Sequence, residues 1–299
     1  MLSMLMAFAV VGGGLAGMTA TQSAGALPTA GYWLVSADGG TFAFGAPFLG
    51  NPISSGPDIC SAPVTVGSQV CRAIAASPGG DGYWVMASET FEGGTSGMVS
   101  GFGAIPLTPT PPPLSGLNGP LVGAATTSNG SGLLLAASDG WVFAYGTASF
   151  FGSAAGEQGA APIVGISTSS VVNGYWLAAA DGKVQPFGAA IFFEDMSTTH
   201  LNAPIVGIAA TSDGRGYWLT AADGGVFAFG DASFAGSMAG HHLNAPIVGI
   251  AGTADNGGYW LVAADGGVFA FGDAPFLGSM AGHHLNAPVV GLAASEPAA

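Results

Sequence analysis

The sequence predicts an all-β chain closed into a six-bladed β-propeller, on three observations: a repeat, the strand-and-turn pattern inside it, and a mismatch between the two ends. "GYW" occurs at Gly31, Gly82, Gly174, Gly216 and Gly258, with a degenerate "GLL" at Gly132, so the steps are 51, 50, 42, 42 and 42 residues. Six related units of this size signal a propeller, a solenoid or an array. Within one unit, four short apolar runs, "APIVGIAAT", "GYWLTAA", "GVFAFG" and "ASFAGSM", are separated by glycine-containing turn signals. Such runs read as antiparallel strands, four to a blade. The first unit begins at "GYWLVSADGG" with no "APIVGIA" before it, while the chain ends in "NAPVVGLAAS" with no unit after it. Six copies of each strand therefore require the C-terminal strand to complete the first blade, a closure that leaves no open sheet edge at the seam.

The elements follow in order. An apolar run from about Leu2 to Ala16 precedes Ala24-Gly25-Ala26, which reads as a secretory signal peptide over 1–26, although no basic segment leads it. The other reading is an uncleaved membrane anchor, poorly served by Gly12, Gly13, Gly14 and Gly17 in so short a span. Both put the rest of the chain outside the cytoplasm, secreted or at the cell envelope. Residues 27–299 then form a single propeller domain with blades starting near 31, 82, 132, 174, 216 and 258.

The first unit is nine residues longer than the 42-residue step, and the addition holds both cysteines, Cys60 and Cys71. In an exported protein these are expected to form a local disulfide, since a lone pair without nearby histidines makes a poor zinc site. The second unit stretches its central hairpin through "SETFEGGTSG" and replaces the fourth run by "AIPLTPTPPPLSG". Proline cannot donate to a ladder, so this blade is expected to have a weak or missing outer strand. In the regular units Tyr217, Trp218 and Leu219 are consecutive, which suits a strand covered on both faces. By the same pattern Trp33, Trp84, Trp176, Trp218 and Trp260 belong to the core between blades. Trp141 differs: it stands at a hairpin exit where the last two units have glycine, and is expected to be more exposed.

The wording "GYWL.A.DGGVFAFGDA.F.GSM......LNAPVVG.A" resembles exported actinobacterial repeat proteins, and the resemblance covers about Gly31 to Ser295. The order of small-residue strand, aromatic strand, "DG.V..FGD" and "GS" is also similar to regulator-of-chromosome-condensation and tectonin repeats, which differ in length. Both resemblances imply a propeller. Neither implies a particular activity.

Three basic residues against seventeen acidic ones, a net charge of −14, argue against nucleic acid and anionic lipid as partners. A mean hydropathy of +0.53 with 10% aromatic residues argues for a folded chain despite 52 glycines.

The candidate chemistry is sparse. Asp38, Asp139, Asp181, Asp223 and Asp265 all stand seven residues after the anchoring glycine and precede Gly, which is the signature of a type I′ hairpin turn. Asp213, Asp231, Asp255 and Asp273 read as loop or Asx residues. Calcium is the one cofactor the carboxylates leave open, without an ordered Asp-x-Asp-x-Asp-Gly loop to hold it. His200, His242 and His284 stand in register, but neighbouring blades would hold them on the order of ten ångströms apart, too far to share zinc, whose ligand atoms lie about 2 Å away. They are weak metal candidates.

Nucleophile-elbow, Walker-type and H-E-x-x-H patterns are absent. The leading expectation is a non-catalytic exported propeller that binds a protein or glycan at the cell envelope. Specificity is expected where the repeat breaks, at Cys60 to Cys71 and at the long hairpin with Glu89, Phe91 and Glu92, with Trp141 as a further contact. The alternatives are a glycan hydrolase or lactonase with its site at the channel mouth, and a rigid structural spacer.

Overall fold

A computed structural model describes residues 30–53, 59–60, 69–91, 94–105, 111–157 and 159–295. The N-terminal segment, whether signal or anchor, lies outside the described residues. Six antiparallel sheets make up the regular structure. The first blade takes β1 (Gly31–Ser36), β2 (Thr41–Phe44) and the C-terminal β19 (Val289–Ser295). The second has β3 (Val70–Ala76), β4 (Gly82–Phe91), β5 (Gly94–Gly103) and β6 (Leu114–Leu117). The third has β7 (Leu121–Thr126), β8 (Gly132–Ala137) and β9 (Val142–Gly146); the fourth has β10 (Ile163–Ser167), β11 (Gly174–Ala179) and β12 (Val184–Gly188). The fifth has β13 (Ile205–Ala210), β14 (Gly216–Ala221) and β15 (Val226–Gly230); the sixth has β16 (Ile247–Gly252), β17 (Gly258–Ala263) and β18 (Val268–Gly272).

The ring closes as the end mismatch predicts. β19 pairs with β1 from Gly31↔Ser295 to Ser36↔Val289 and so supplies the strand the first unit lacks. The inner strands β19, β3, β7, β10, β13 and β16 each touch the next, and β16 touches β19. Glycine sets how closely they approach: a Cβ on Gly123 would lie 3.0 Å from the backbone of Ile166 in the next blade, and one on Gly165 3.2 Å from Ile208.

A second ring, of hydrogen bonds, runs around one rim. The first buried N–H of each inner strand donates to the turn of the preceding blade: Cys71 to Ala37 O at 2.9 Å, Ile163 to Ser138 O at 2.9 Å, Ile205 to Ala180 O at 2.9 Å, Ile247 to Ala222 O at 3.0 Å and Val289 to Ala264 O at 2.9 Å. At the remaining junction the preceding hairpin is lengthened, and a side chain takes over, with Leu121 N–H donating to Ser88 Oγ at 2.9 Å.

The middle strands β1, β8, β11, β14 and β17 are buried along their whole length, which is why their apolar residues run consecutively instead of alternating. The tryptophan of one blade packs on the tyrosine of the next, with ring centroids 5.0 Å apart for Trp33 and Tyr83, 6.0 Å for Trp176 and Tyr217, 5.6 Å for Trp218 and Tyr259, and 5.6 Å for Trp260 and Tyr32. The last pair crosses the seam.

The strand count departs from four per blade. Among the described residues five sheets have three strands, and the proline-bearing second blade, expected to have a weak or missing outer strand, is the one that has a fourth. The reason lies in how the fourth run satisfies its backbone. In the fifth blade Ser233 O accepts the Trp218 indole N–H at 2.8 Å, Gly236 O accepts the Tyr259 hydroxyl at 2.5 Å, and Ala235 N–H donates to that hydroxyl at 3.1 Å. Aromatic side chains of its own blade and the next thus take bonds a ladder would otherwise make. The third blade has Leu133 in place of that tyrosine, so the outer segment of the second blade has no such hydroxyl to hold it. It pairs instead with the lengthened β5, Thr95↔Leu117 and Gly97↔Leu114, and Pro111, Pro112 and Pro113 precede the strand instead of interrupting it.

The Asp-Gly turns also differ from type I′. Positive φ falls on Gly39, Gly140, Gly182, Gly224 and Gly266, and on none of the aspartates before them. Gly224 N–H donates to Ala221 O at 2.9 Å and Ala221 N–H to Gly225 O at 2.8 Å. This is a three-residue loop, a type I turn followed by a left-handed glycine. The aspartate is selected by its carboxylate, which accepts the N–H two residues on: Asp223 from Gly225 at 3.0 Å, Asp265 from Gly267 at 2.9 Å, Asp181 from Lys183 at 3.0 Å.

Candidate functional site

Antiparallel pairing brings the turn after each middle strand to the end where the inner strand begins. Ala222 N–H, just past β14, donates to Pro204 O, just before β13, at 2.9 Å, and Ala180 and Ala264 repeat the contact with Pro162 and Pro246. One rim therefore collects the Asp-Gly turns, the histidine loops, the cysteine pair and the tip of the long second-blade hairpin.

Cys60 and Cys71 are bonded, with Cα atoms 5.3 Å apart, and both are buried. Glu89 is half-buried on β4 opposite Ser96, and Phe91 pairs with Gly94 at the hairpin's far end. Glu92 lies outside the described residues. Trp141 keeps 46% of its surface exposed, whereas the five repeat tryptophans are buried. His200, His242 and His284 are exposed, and among the described residues no group of three or more His, Cys, Asp or Glu is arranged to hold a metal ion.

A pocket that no sequence motif announces opens on the same rim, between the third and fourth blades. It is a cavity of about 390 Å³ with Ile163, Ala154 and Ala179 in its apolar wall and Asp139, Glu157, Asp181, Lys183 and Gln185 supplying polar groups. Lys183 Nζ donates to Glu157 Oε2 at 2.7 Å and Gln185 Nε2 donates to the same oxygen at 3.3 Å. The hydrogen bond and charge of the Lys183 ammonium hold the Glu157 carboxyl below its ordinary range. The signal was present in the sequence as substitutions: the third unit has Ala154 and Gly159 where the fifth and sixth have Met238 and Leu243, Met280 and Leu285. At the opposite rim of this junction a second cavity, about 210 Å³, is lined by Leu134, which replaces the repeat tryptophan.

That opposite rim carries two carboxylate pairs. Thr211 Oγ1 lies 3.5 Å from Asp231 Oδ1 and accepts Arg215 N–H at 3.1 Å, while Thr253 Oγ1 lies 2.8 Å from Asp255 Oδ1 and 3.4 Å from Asp273 Oδ1. Desolvation, then the neighbouring Asp213, pushes the Asp231 carboxyl up, and the Thr211 hydroxyl bond holds Asp213 down. Asp273 is likewise raised by desolvation and by Asp255, and Asp255 lowered chiefly by Thr253.

The inner ring has one charged intruder. Arg72 occupies the bulge position held by Val122, Val164, Val206, Val248 and Val290 in the other blades. Its Nε is buried without a hydrogen-bond partner among the described residues, and burial pushes the guanidinium pKa down.

No family model and no curated protein matches the sequence. Among solved structures, the chain is similar to the Myceliophteria thermophila Cps50 (Swd1) β-propeller domain, at 12% identity and a TM-score of 0.47, over 76% of this chain and 73% of that one. The six sheets and the strand that closes them make this chain a β-propeller, a class that often serves as a binding module.

Proposed function

We propose that the protein is a non-catalytic binding module, exported to the cell envelope, that presents one rim of its propeller to a glycan or protein there. The observation that carries this reading is that the main departures from the repeat gather on a single rim. The Cys60–Cys71 disulfide of the first junction, the long hairpin of the second blade and the pocket after the third all stand at the ends of the middle strands. A ring stitched from blade to blade by hydrogen bonds and aromatic pairs fixes the strand ends from which those loops spring, and a rigid scaffold lowers the ordering cost of binding. The net charge of −14 favours uncharged or basic partners over anionic ones.

The test compares the mature protein with a variant whose first- and second-blade insertions are cut to the consensus loop length, using sedimentation with purified envelope polysaccharide. Loss of co-sedimentation in a variant that still unfolds cooperatively supports the reading. Undiminished binding overturns the placement on this rim. Release of reducing ends from the polysaccharide by the parent protein would favour the hydrolase alternative instead.

A further inference from the structure

In the fourth, fifth and sixth blades the space beneath the Asp-Gly turn is filled. Met196 and Leu201 pack against the core around Val184 and Ile205, Met238 and Leu243 against Val226 and Ile247, and Met280 and Leu285 against Val268 and Val289. In the third blade these two fillers are Ala154 and Gly159, and the vacated space is the cavity of about 390 Å³. That volume falls at the lower end of ligand pockets, which run from about 300 to 1,000 Å³. The same junction gains polar groups found nowhere else in the repeat. Lys183 stands where Gly225 and Gly267 stand, Gln185 where Phe227 and Phe269 stand, and Glu157 where His241 and His283 stand. Two substitutions empty the space and three line it with donors and acceptors.

Those groups suit hydroxyls. The Lys183 ammonium keeps protons beyond the one given to Glu157, and Gln185 offers an amide carbonyl beside its N–H. Asp139 and Asp181 each commit one oxygen to a turn N–H, at 3.3 and 3.0 Å, leaving the other as an acceptor. A hydroxyl both donates and accepts, so adjacent hydroxyls on a sugar ring satisfy neighbouring acceptor and donor at once. Three carboxylates against one ammonium disfavour an anion. A cation is less suited, because the Glu157 charge is matched at 2.7 Å by Lys183 and the walls are alanine, glycine and isoleucine, with no aromatic cage. Trp141, next in the chain to pocket-lining Gly140, leaves 46% of its surface exposed, an apolar ring free to stack on a sugar.

We infer that this pocket is a subsite for an uncharged saccharide unit; the inference rests on the binding-module reading and names its ligand class. Titration calorimetry with maltotetraose, cellotetraose and xylotetraose, alongside tetragalacturonate and tetralysine, tests it. At least one neutral tetrasaccharide is expected to bind. Ala154→Met, which restores the consensus filler, is expected to weaken that binding by about tenfold or more while keeping or raising the melting temperature, as cavity filling does. Trp141→Ala is expected to weaken it several-fold. Failure of all three neutral sugars to bind, binding unchanged by Ala154→Met, or preference for tetragalacturonate or tetralysine would each overturn the inference. Polysaccharide sedimentation distinguishes the two failures: if Ala154→Met leaves it intact and the loop-shortened variant abolishes it, the module reading stands and the subsite falls.

Discussion

At Asp231 and Asp273 the repeat places a carboxylate where its own fold resists the charge. Partial desolvation and the facing Asp213 or Asp255 raise their pKa, so the stability they contribute is present below the ordinary carboxylate value and lost as pH rises through the raised one. The facing Asp213 and Asp255 are lowered, and act in the opposite sense, contributing stability above the ordinary value that is lost on acidification. The double variant Asp231→Asn/Asp273→Asn is therefore expected to melt higher than the parent at neutral pH, with the advantage shrinking on acidification as the raised carboxyls take up their own protons, ahead of an ordinary carboxylate at about pH 4. Thermal melts across that range check it; because the groups face solvent, the gain should stay small. Arg72 is the other misfit. Arg72→Val, the residue of the other five blades, is expected to raise unfolding free energy by about 1–2 kcal/mol, read by urea denaturation, because it removes an unpartnered buried donor.

The outer segment of each blade shows how an element loses its regular form without losing its place. Tyr217 gives its hydroxyl proton to Glu194 O at 2.6 Å and accepts Phe193 N–H at 3.3 Å, so one side chain fixes two backbone groups of the preceding blade. Tyr217→Phe is expected to cost about 1–2 kcal/mol in denaturant unfolding and to increase amide exchange at Phe193. The middle strands were legible in the sequence because burial on both faces leaves an unbroken apolar run, as in Gly216–Ala221. The outer run "ASFAGSM" looked equally strand-like. What decided its state was a hydroxyl from a residue 24 positions later, as Ala235 and Tyr259 show, and no local pattern displays that partner. The second blade reversed the expectation for the same reason, since Leu133 replaces the tyrosine and a lengthened β5 offers an edge for pairing.

For the whole molecule, the seam is the test of closure. Ending the chain at Ala287 would remove β19, leave β1 without its inner partner and strip β3 and β16 of a neighbour. Such a truncation is expected to abolish the single cooperative unfolding transition and to cause concentration-dependent association through the exposed edge, measured by denaturation and light scattering.

The sequence by itself determined the number of blades, the closure and the core tryptophans. Each of these follows from a repeat whose period, turn residues and unmatched ends are local properties of the chain. It also marked the disulfide, although only Cys60 lies in the first unit's insertion: Cys71 belongs to β3, at the inner-strand position that Ile163, Ile205, Ile247 and Val289 hold in the other blades. Tertiary structure alone decided which residues share a rim and where space is left between blades. Glu157 and Lys183 are separated by 26 positions and belong to different units, yet meet at 2.7 Å. The pocket they border exists because Ala154 and Gly159 are small, and a missing side chain becomes a cavity only when the neighbouring blade is held too rigidly to close over it.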